Sequence, residues 1–274
     1  MARFRRNHSK SGTAAANVVR ISLLAAIILT TIFLFYFFGS RPLPPPGFQK
    51  PALPNYLPAS STGIVFGKDR YWISWESAAQ LPEWVACLIT PDQTQILLPD
   101  LTMQEAGLPS LEVQTPADNT PFENTLLLPL QMAVEGENKF KNPLYLGSFC
   151  PQYPDFKYFR EEHLNLLLQR WVQFSDTLIV VAGPVLGAQN EGTRNAPEAY
   201  FLVLLAKGGN KKTSAIGFIF PHQPNTTAPA YRKFAVSVNQ VEQVTGLDFF
   251  SKFFDDTLEE ALESDFNLNL WPDG

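Results

Sequence analysis

An uncharged apolar run followed at once by a proline-dense stretch divides this chain before any fold is considered. Ile21 to Phe38 reads ISLLAAIILTTIFLFYFF, eighteen residues without a charge. That length just suffices for a membrane-spanning helix. A cleaved signal peptide has a shorter apolar region, roughly 7–15 residues, and ends at a small-residue site. Here the run closes on FLFYFF and is followed by GSRPLPPP, so residues 21–38 read as an uncleaved transmembrane anchor. Five basic residues precede it (Arg3, Arg5, Arg6, Lys10, Arg20), and Arg41 alone stands close behind. The positive-inside rule then makes residues 1–20 a cytoplasmic tail and puts the folded part outside the cytoplasm. Prolines at 42, 44, 45, 46, 51, 54 and 58 follow. Such density forbids helix and strand pairing and favours extended chain, so residues 39–61 read as a stalk. Pro42 and Pro45 also have PxxP spacing, which is a peptide-ligand pattern.

Residues 62–274 then have the size of one large domain. Of the 21 basic residues, five lie before residue 41, leaving 16 against 26 acidic ones, a formal net of −10. Duplex binding draws most of its affinity from phosphate neutralisation by a basic face. The balance therefore disfavours nonspecific nucleic-acid binding, although a local basic patch stays compatible with it. The two cysteines, Cys87 and Cys150, lack zinc-site spacing. They are either a disulfide in an oxidising compartment or two separate buried thiols.

Periodicity supplies the elements. GIVFGKDRYWISWES and LPEWVACLIT alternate like strands around a loop at residues 78–82, and residues 89–120 are rich in turn formers. Arg160 to Phe174 carries Leu164, Leu167, Leu168 and Trp171 at i, i+3, i+4 and i+7, one buried helix face. TLIVV is a buried strand ended by Gly183-Pro184, and Ala199–Leu205 with Ser214–Phe220 form a hairpin around KGGNKK. Asn225-Thr226-Thr227 matches a glycosylation sequon. Near the C-terminus, Val238 to Val244 suits a short helix capped by Gly246. Leu247, Phe249 and Phe250 suit a core plug, and an acidic helix follows.

Three stretches carry a resemblance: PFENTLLLPLQM from Pro121, LYLGSFCPQYPDFKYFREEHLN from Leu144 to Asn165, and FAVSVNQVEQVTGLDFFSKFFDDTLEEALE from Phe234. Together they resemble the DNA/RNA non-specific endonucleases, the endonuclease G-like group with a ββα-metal site, over roughly residues 62–263. The resemblance implies an α+β fold: a ββα-metal nuclease-like mixed, largely antiparallel sheet flanked by helices. It also implies a site in which a histidine activates water, while one Mg²⁺ held by an asparagine, with a helix glutamate supporting its water shell, stabilises the pentacovalent phosphorus.

In this sequence the framework is kept and the chemistry is not. Phe122, Leu127 and Pro129 fit the first motif, and Tyr145, Leu146, Pro151, Gln152, Pro154 and Leu164 fit the second. The base position holds Leu126, the metal asparagine position Lys157, the supporting glutamate position Asn165, and an upstream asparagine position Ser148. Leucine accepts no proton, and an ammonium cannot ligate Mg²⁺, which needs hard oxygen donors. No catalytic or metal-ligating residue is therefore expected, and no cofactor. Lys157 and Ser148 are the candidate contacts for a nucleic acid or other anion. An alternative is an active Mg²⁺-dependent nuclease with a displaced site at Glu161, His163 and Asn165, although these also suit a solvated helix face. His8 lies in the N-terminal tail and His222 in a PHQP loop after a strand. The sequence thus points to a membrane-anchored, catalytically inactive nuclease-like module. Its partners are the membrane, through residues 21–38, and an extracytoplasmic protein or anionic ligand.

Overall fold

The computed structural model describes residues 26, 28–31, 52–93, 96–108, 110–111, 120–128, 132–134, 139–186, 197–208, 212–224 and 231–272. Contacts divide the chain into two compact units, residues 1–44 and 45–274. In the first, residues 26 and 28–31 are helical and exposed, and the rest of the expected anchor lies outside the described residues. Among the described residues, no helix is long and apolar enough to cross a membrane. The sequon at Asn225 and the tip of the KGGNKK turn also lie outside them.

The second unit is built on a seven-stranded sheet of order β1-β2-β3-β8-β9-β10-β11, antiparallel throughout. Its strands are β1 (Ile64–Lys68), β2 (Tyr71–Glu76), β3 (Leu81–Ile89), β8 (Thr177–Val185), β9 (Ala199–Lys207), β10 (Ser214–Pro221) and β11 (Ala235–Val236). Two ribbons lie outside it. One is β4 (Ile96–Leu98) parallel to β6 (Met132–Val134), and the other is β5 (Glu123–Leu126) antiparallel to β7 (Phe149–Gln152). The fold is the expected α+β mixture.

Successive side chains of a strand point to opposite faces, and here both faces are covered. Ile73, Val85, Val180, Leu202, Leu204 and Phe218 pack into one core, shared with Phe156, Leu164, Leu168 and Trp171. Trp84, Ala86, Ile179, Val181, Phe201 and Val203 pack into another, shared with Val238, Val241, Leu247, Phe249 and Phe250. Covering both faces explains why β8 and β9 are almost continuously apolar rather than alternating.

Helix α1 (Pro143–Leu146) opens on an Asn142 cap whose side chain accepts from Leu144 N–H. A longer helical run follows as α2 (Pro154–Phe159), a π turn (Arg160–Leu164) and α3 (Asn165–Val172). On the second face, α4 (Val238–Thr245) starts in a Ser237–Gln240 capping box and ends at Gly246, φ 72°. That is the left-handed cap expected of a glycine. After Leu247, Phe249 and Phe250, all buried, comes α5 (Asp256–Glu263).

Four boundaries differ from the sequence reading. GIVFGKDRYWISWES is two strands, turned at Asp69–Arg70 with Asp69 at φ 54°. Strand β8 runs on through Gly183-Pro184, pairing them with Phe201 and Tyr200. The ladder with β3 stops at Ala182, so Pro184, which has no N–H to give, interrupts none of its bonds. The helix starts six residues early, at Pro154, a favoured first helical position. Finally, Tyr56 and Leu57 are buried in the second core, and Ala59 N–H donates to Asp248 C=O at 2.8 Å. The packed chain therefore begins inside the stretch assigned to the stalk.

Candidate binding site beneath the helix

Strand alternation decides which side chains meet the helix. In the β5–β7 ribbon, Glu123 faces Gln152 and Thr125 faces Cys150. Residues two apart share a face, so these four lie on one side, and Thr125, Cys150 and Gln152 are buried there. Helix α2 and its π turn cross that side, and Lys157 and Arg160, three residues apart, reach the two β5 side chains. Lys157 Nζ lies 3.3 Å from Glu123 Oε2, with the pair 37% and 53% exposed. Deeper in, Arg160 Nη2 donates to Thr125 Oγ1 at 3.3 Å. The result is an exposed ion pair one helical turn from a buried guanidinium.

Two buried side chains here are short of partners. Arg160 is 4% exposed and Gln152 is 0% exposed. Arg160 Nε and Nη1, and both amide atoms of Gln152, have no hydrogen-bond partner among the described residues. Burial pulls the Arg160 guanidinium down to about 10, against the opposing pull of Glu161, and pushes the neighbouring Cys150 thiol up to about 12. Nothing in the opening helix read from the sequence marked Arg160 as special. It does lie on the row Phe156, Arg160, Leu164, Leu168, and extending that apolar row backward would have placed it inward.

The π turn keeps this row straight. In an α-helix, residues four apart drift by about 40° per step at 3.6 residues per turn. Here Asn165 N–H reaches back five residues to Arg160 C=O. That wider turn unwinds the drift, so Phe156, Arg160, Leu164 and Leu168 are all buried. Such turns are frequent at functional sites.

An aromatic group fixes the start of the helix. Tyr153 lies 4.7 Å, ring to ring, from both Phe122 and His222. His222 accepts from Tyr153 N–H at Nε2, 2.9 Å, and its Nδ1 meets Pro197 C=O at 2.8 Å. A backbone N–H can only donate and a carbonyl can only accept, so the ring is the neutral Nδ1–H tautomer with both nitrogens in use. Burial lowers its pKa below the ordinary value. The PHQP histidine is thus a strut for the helix and is unavailable as a base.

The other residues singled out from the sequence are dispersed. Ser148 is fully buried, its hydroxyl shared with Tyr71 Oη at 2.8 Å and Leu144 C=O, so it offers nothing to a ligand arriving from solvent. Leu126 alternates to the strand face opposite Thr125 and lies half-buried opposite Phe149. Glu161 and His163 are exposed, and Asn165 Oδ1 accepts from Gln169 Nε2 at 3.3 Å. Among the described residues, no three His, Cys, Asp or Glu side chains are grouped to hold a metal ion. Cys87 and Cys150 are separate buried thiols.

A strand pair crossed by a helix, set against a large antiparallel sheet, makes this an α+β domain consistent with a nuclease fold. Residues 136–256 match the model of the DNA/RNA non-specific endonuclease family, which shows the resemblance over that stretch, somewhat less than half of the chain. No curated protein matches the chain. The matched stretch includes Ser148, Lys157, Arg160, His163 and Asn165 but begins after Leu126, so the base position rests on its local motif alone.

The Mg²⁺ of the resembled family does not fit the residues gathered where the helix crosses the ribbon. Two unit charges 4 Å apart interact by about 4 kcal/mol at an effective dielectric near 20, hence about 8 kcal/mol of repulsion between a dication and one ammonium. Lys157 and Arg160 present two cations, and one carboxylate, Glu123, already serves Lys157. The set is suited to an anion.

Proposed function

We infer that this chain is a single-pass, membrane-anchored nuclease-like module whose folded domain stands outside the cytoplasm and binds an anionic or protein partner without cleaving it. The observation that carries this reading is the Lys157–Glu123 ion pair at the family's metal position, with a second cation, Arg160, buried three residues on. The lost base position at Leu126 and the acidic balance after residue 40 support it. The eighteen-residue apolar run and the basic residues before it support the anchoring and its orientation.

The test is a cleavage assay on the purified full chain in detergent, with plasmid DNA and RNA in Mg²⁺ or Mn²⁺. No metal-dependent cleavage above the buffer rate is expected. Cleavage that co-purifies with the protein and disappears in His163→Ala would establish the displaced-site nuclease instead. For the anchor, alkaline carbonate washing of membranes should retain the full chain and release one beginning at Pro45.

A further inference from the structure

Glu263 is the last residue of α5, and only 4% of it is exposed. Its Oε1 has no hydrogen-bond partner among the described residues. A buried carboxylate is costly unless a cation or donors meet it, and here the surroundings raise the cost. The main neighbours of α5 are α4 and β10. Strand β10 brings no ionisable side chain, and α4 brings one, Glu242. The segment between the helices adds Asp248, and α5 itself adds Glu259 and Glu260, so the charges that act on Glu263 are all carboxylates. Lys207 on β9 sits 4.6 Å over the Phe253 ring instead, and Lys252 is exposed. The last turn of α5 holds no basic residue, so the partial negative charge of its C-terminal end also goes uncompensated. Glu242 accepts from Phe249 N–H at 2.7 Å and Glu260 from Asn239 Nδ2 at 3.4 Å. The most buried carboxyl of the group is the one left with an unanswered oxygen.

We propose that α5 is a proton-operated clasp, closed on α4 while the Glu263 carboxyl is protonated and neutral, and opened when that proton passes to solvent. Neutral, the group adds nothing to the repulsion among the carboxylates around it. Ionised, it becomes a buried negative charge facing Glu242, Asp248, Glu259 and Glu260, and moving α5 outward is the way to hydrate it. Burial first, then Glu242, pushes the Glu263 carboxyl up from 4.5 to about 9, and the carboxyls of Glu242 and Glu259 are raised as well. A carboxyl raised by closing gives a stability that is complete below 4.5 and is lost as pH rises towards about 9. The clasp therefore tightens in acid. Opening uncovers Leu262 and the part of the second core beneath it, so the alkaline state presents apolar surface that the acid state hides.

Hydrogen exchange read by mass spectrometry, on the full chain in detergent between about pH 5.5 and 8.5, follows such local opening directly. Closing takes up one proton, so protection of the α5 amides, corrected for intrinsic exchange rates, should fall about tenfold per pH unit. Strands β8 and β9 should stay protected throughout. Glu263→Gln keeps the shape and removes the titration. Its α5 protection should not vary with pH and should exceed that of the wild type at about pH 8. Infrared spectra at neutral pH should show a protonated-carboxyl band in the wild type that is absent from Glu263→Gln.

Glu242→Gln is the second variant. It keeps an acceptor for Phe249 N–H and removes the leading charge that opposes Glu263, so it should protect α5 better than the wild type at about pH 8. Wild-type α5 protection that does not change with pH overturns the clasp, and so does an equal fall in Glu263→Gln. Loss of protection in β8 and β9 in step with α5 overturns it as a local device. Absence of the infrared band overturns the protonated carboxyl, and Glu242→Gln no better protected than the wild type overturns the part given to Glu242.

Discussion

Trp271 lies fifteen residues beyond the end of the family match, yet it is 1% exposed. Its ring meets Trp171 on α3 edge-on at 5.4 Å. Its carbonyl accepts from Tyr231 Oη at 3.3 Å and Arg232 Nη2 at 3.4 Å, and Pro272 C=O accepts from Trp171 Nε1 at 3.1 Å. The tail thus clamps the helical run that carries Lys157 and Arg160. Trp271→Ala keeps those carbonyls and removes only the ring, so its cost isolates packing. Deleting a buried Trp side chain costs about 3–5 kcal/mol. Trp271 Nε1, however, is buried with no partner among the described residues, and losing that orphan donor returns about 1–3 kcal/mol. The midpoints leave a net loss of about 2 kcal/mol, a fall in Tm of roughly 4–8 °C for a domain of this size. Trp271→Phe keeps most of the ring and also removes the orphan, so it should lie within about 1 kcal/mol of wild type. Thermal and urea unfolding followed by circular dichroism measure both. A Trp271→Ala shift below about 2 °C, or a Trp271→Phe loss equal to it, would refute the reasoning.

His222 gives a pH dependence. Its folded pKa is depressed from 6.5 by burial, so near that pH the folded chain binds fewer protons than the unfolded one. The stability this group supplies is complete above 6.5 and is lost as pH falls through the depressed folded value. Tm measured from pH 7.5 downward should therefore decline more steeply in the wild type than in His222→Gln, and equal slopes would contradict the assignment. The cysteines give a chemical test. Burial pushes both thiols up, Cys150 to about 12 and Cys87 further. Neither should react with a maleimide in the folded chain, both should react in denaturant, and a reductant should leave Tm unchanged. A disulfide seen by mass shift would contradict this.

Where one local rule decides, the sequence was a sufficient guide. The face Leu164, Leu167, Leu168, Trp171 follows from helical period, the end of α4 from Gly246, and β8 from an unbroken apolar run. Where partners come from far along the chain, it was not. The turn at Asp69–Arg70 carries no glycine or proline to announce it. Short β4 finds its partner in β6, more than thirty residues later, and gains its strand character from that pairing. The fate of His222 depends on Tyr153 and Pro197, remote in sequence. At the site, Lys157 was identified from its motif, but Glu123 as its partner required the ribbon register. Arginine at the head of an amphipathic helix ordinarily faces water, so the sequence does not announce the burial of Arg160. The burial of Ser148 under Tyr71 is set by β2, over seventy residues earlier, and no local signal announces it.

The central seam of the sheet, β3 against β8, joins Val85 to Ala182. Closing a loop of roughly a hundred residues before any contact repays it makes folding slow. During synthesis the β1–β3 meander emerges long before its partner strand, with Trp72, Trp84 and Val85, all buried in the finished protein, uncovered. Until β8 arrives, the leading edge of β3 is an open template for pairing with another chain. Accumulation of this protein in cells should therefore be limited by how well that nascent meander is shielded, and a pause in translation between the codons for Ile89 and Thr177 should lower its yield through aggregation.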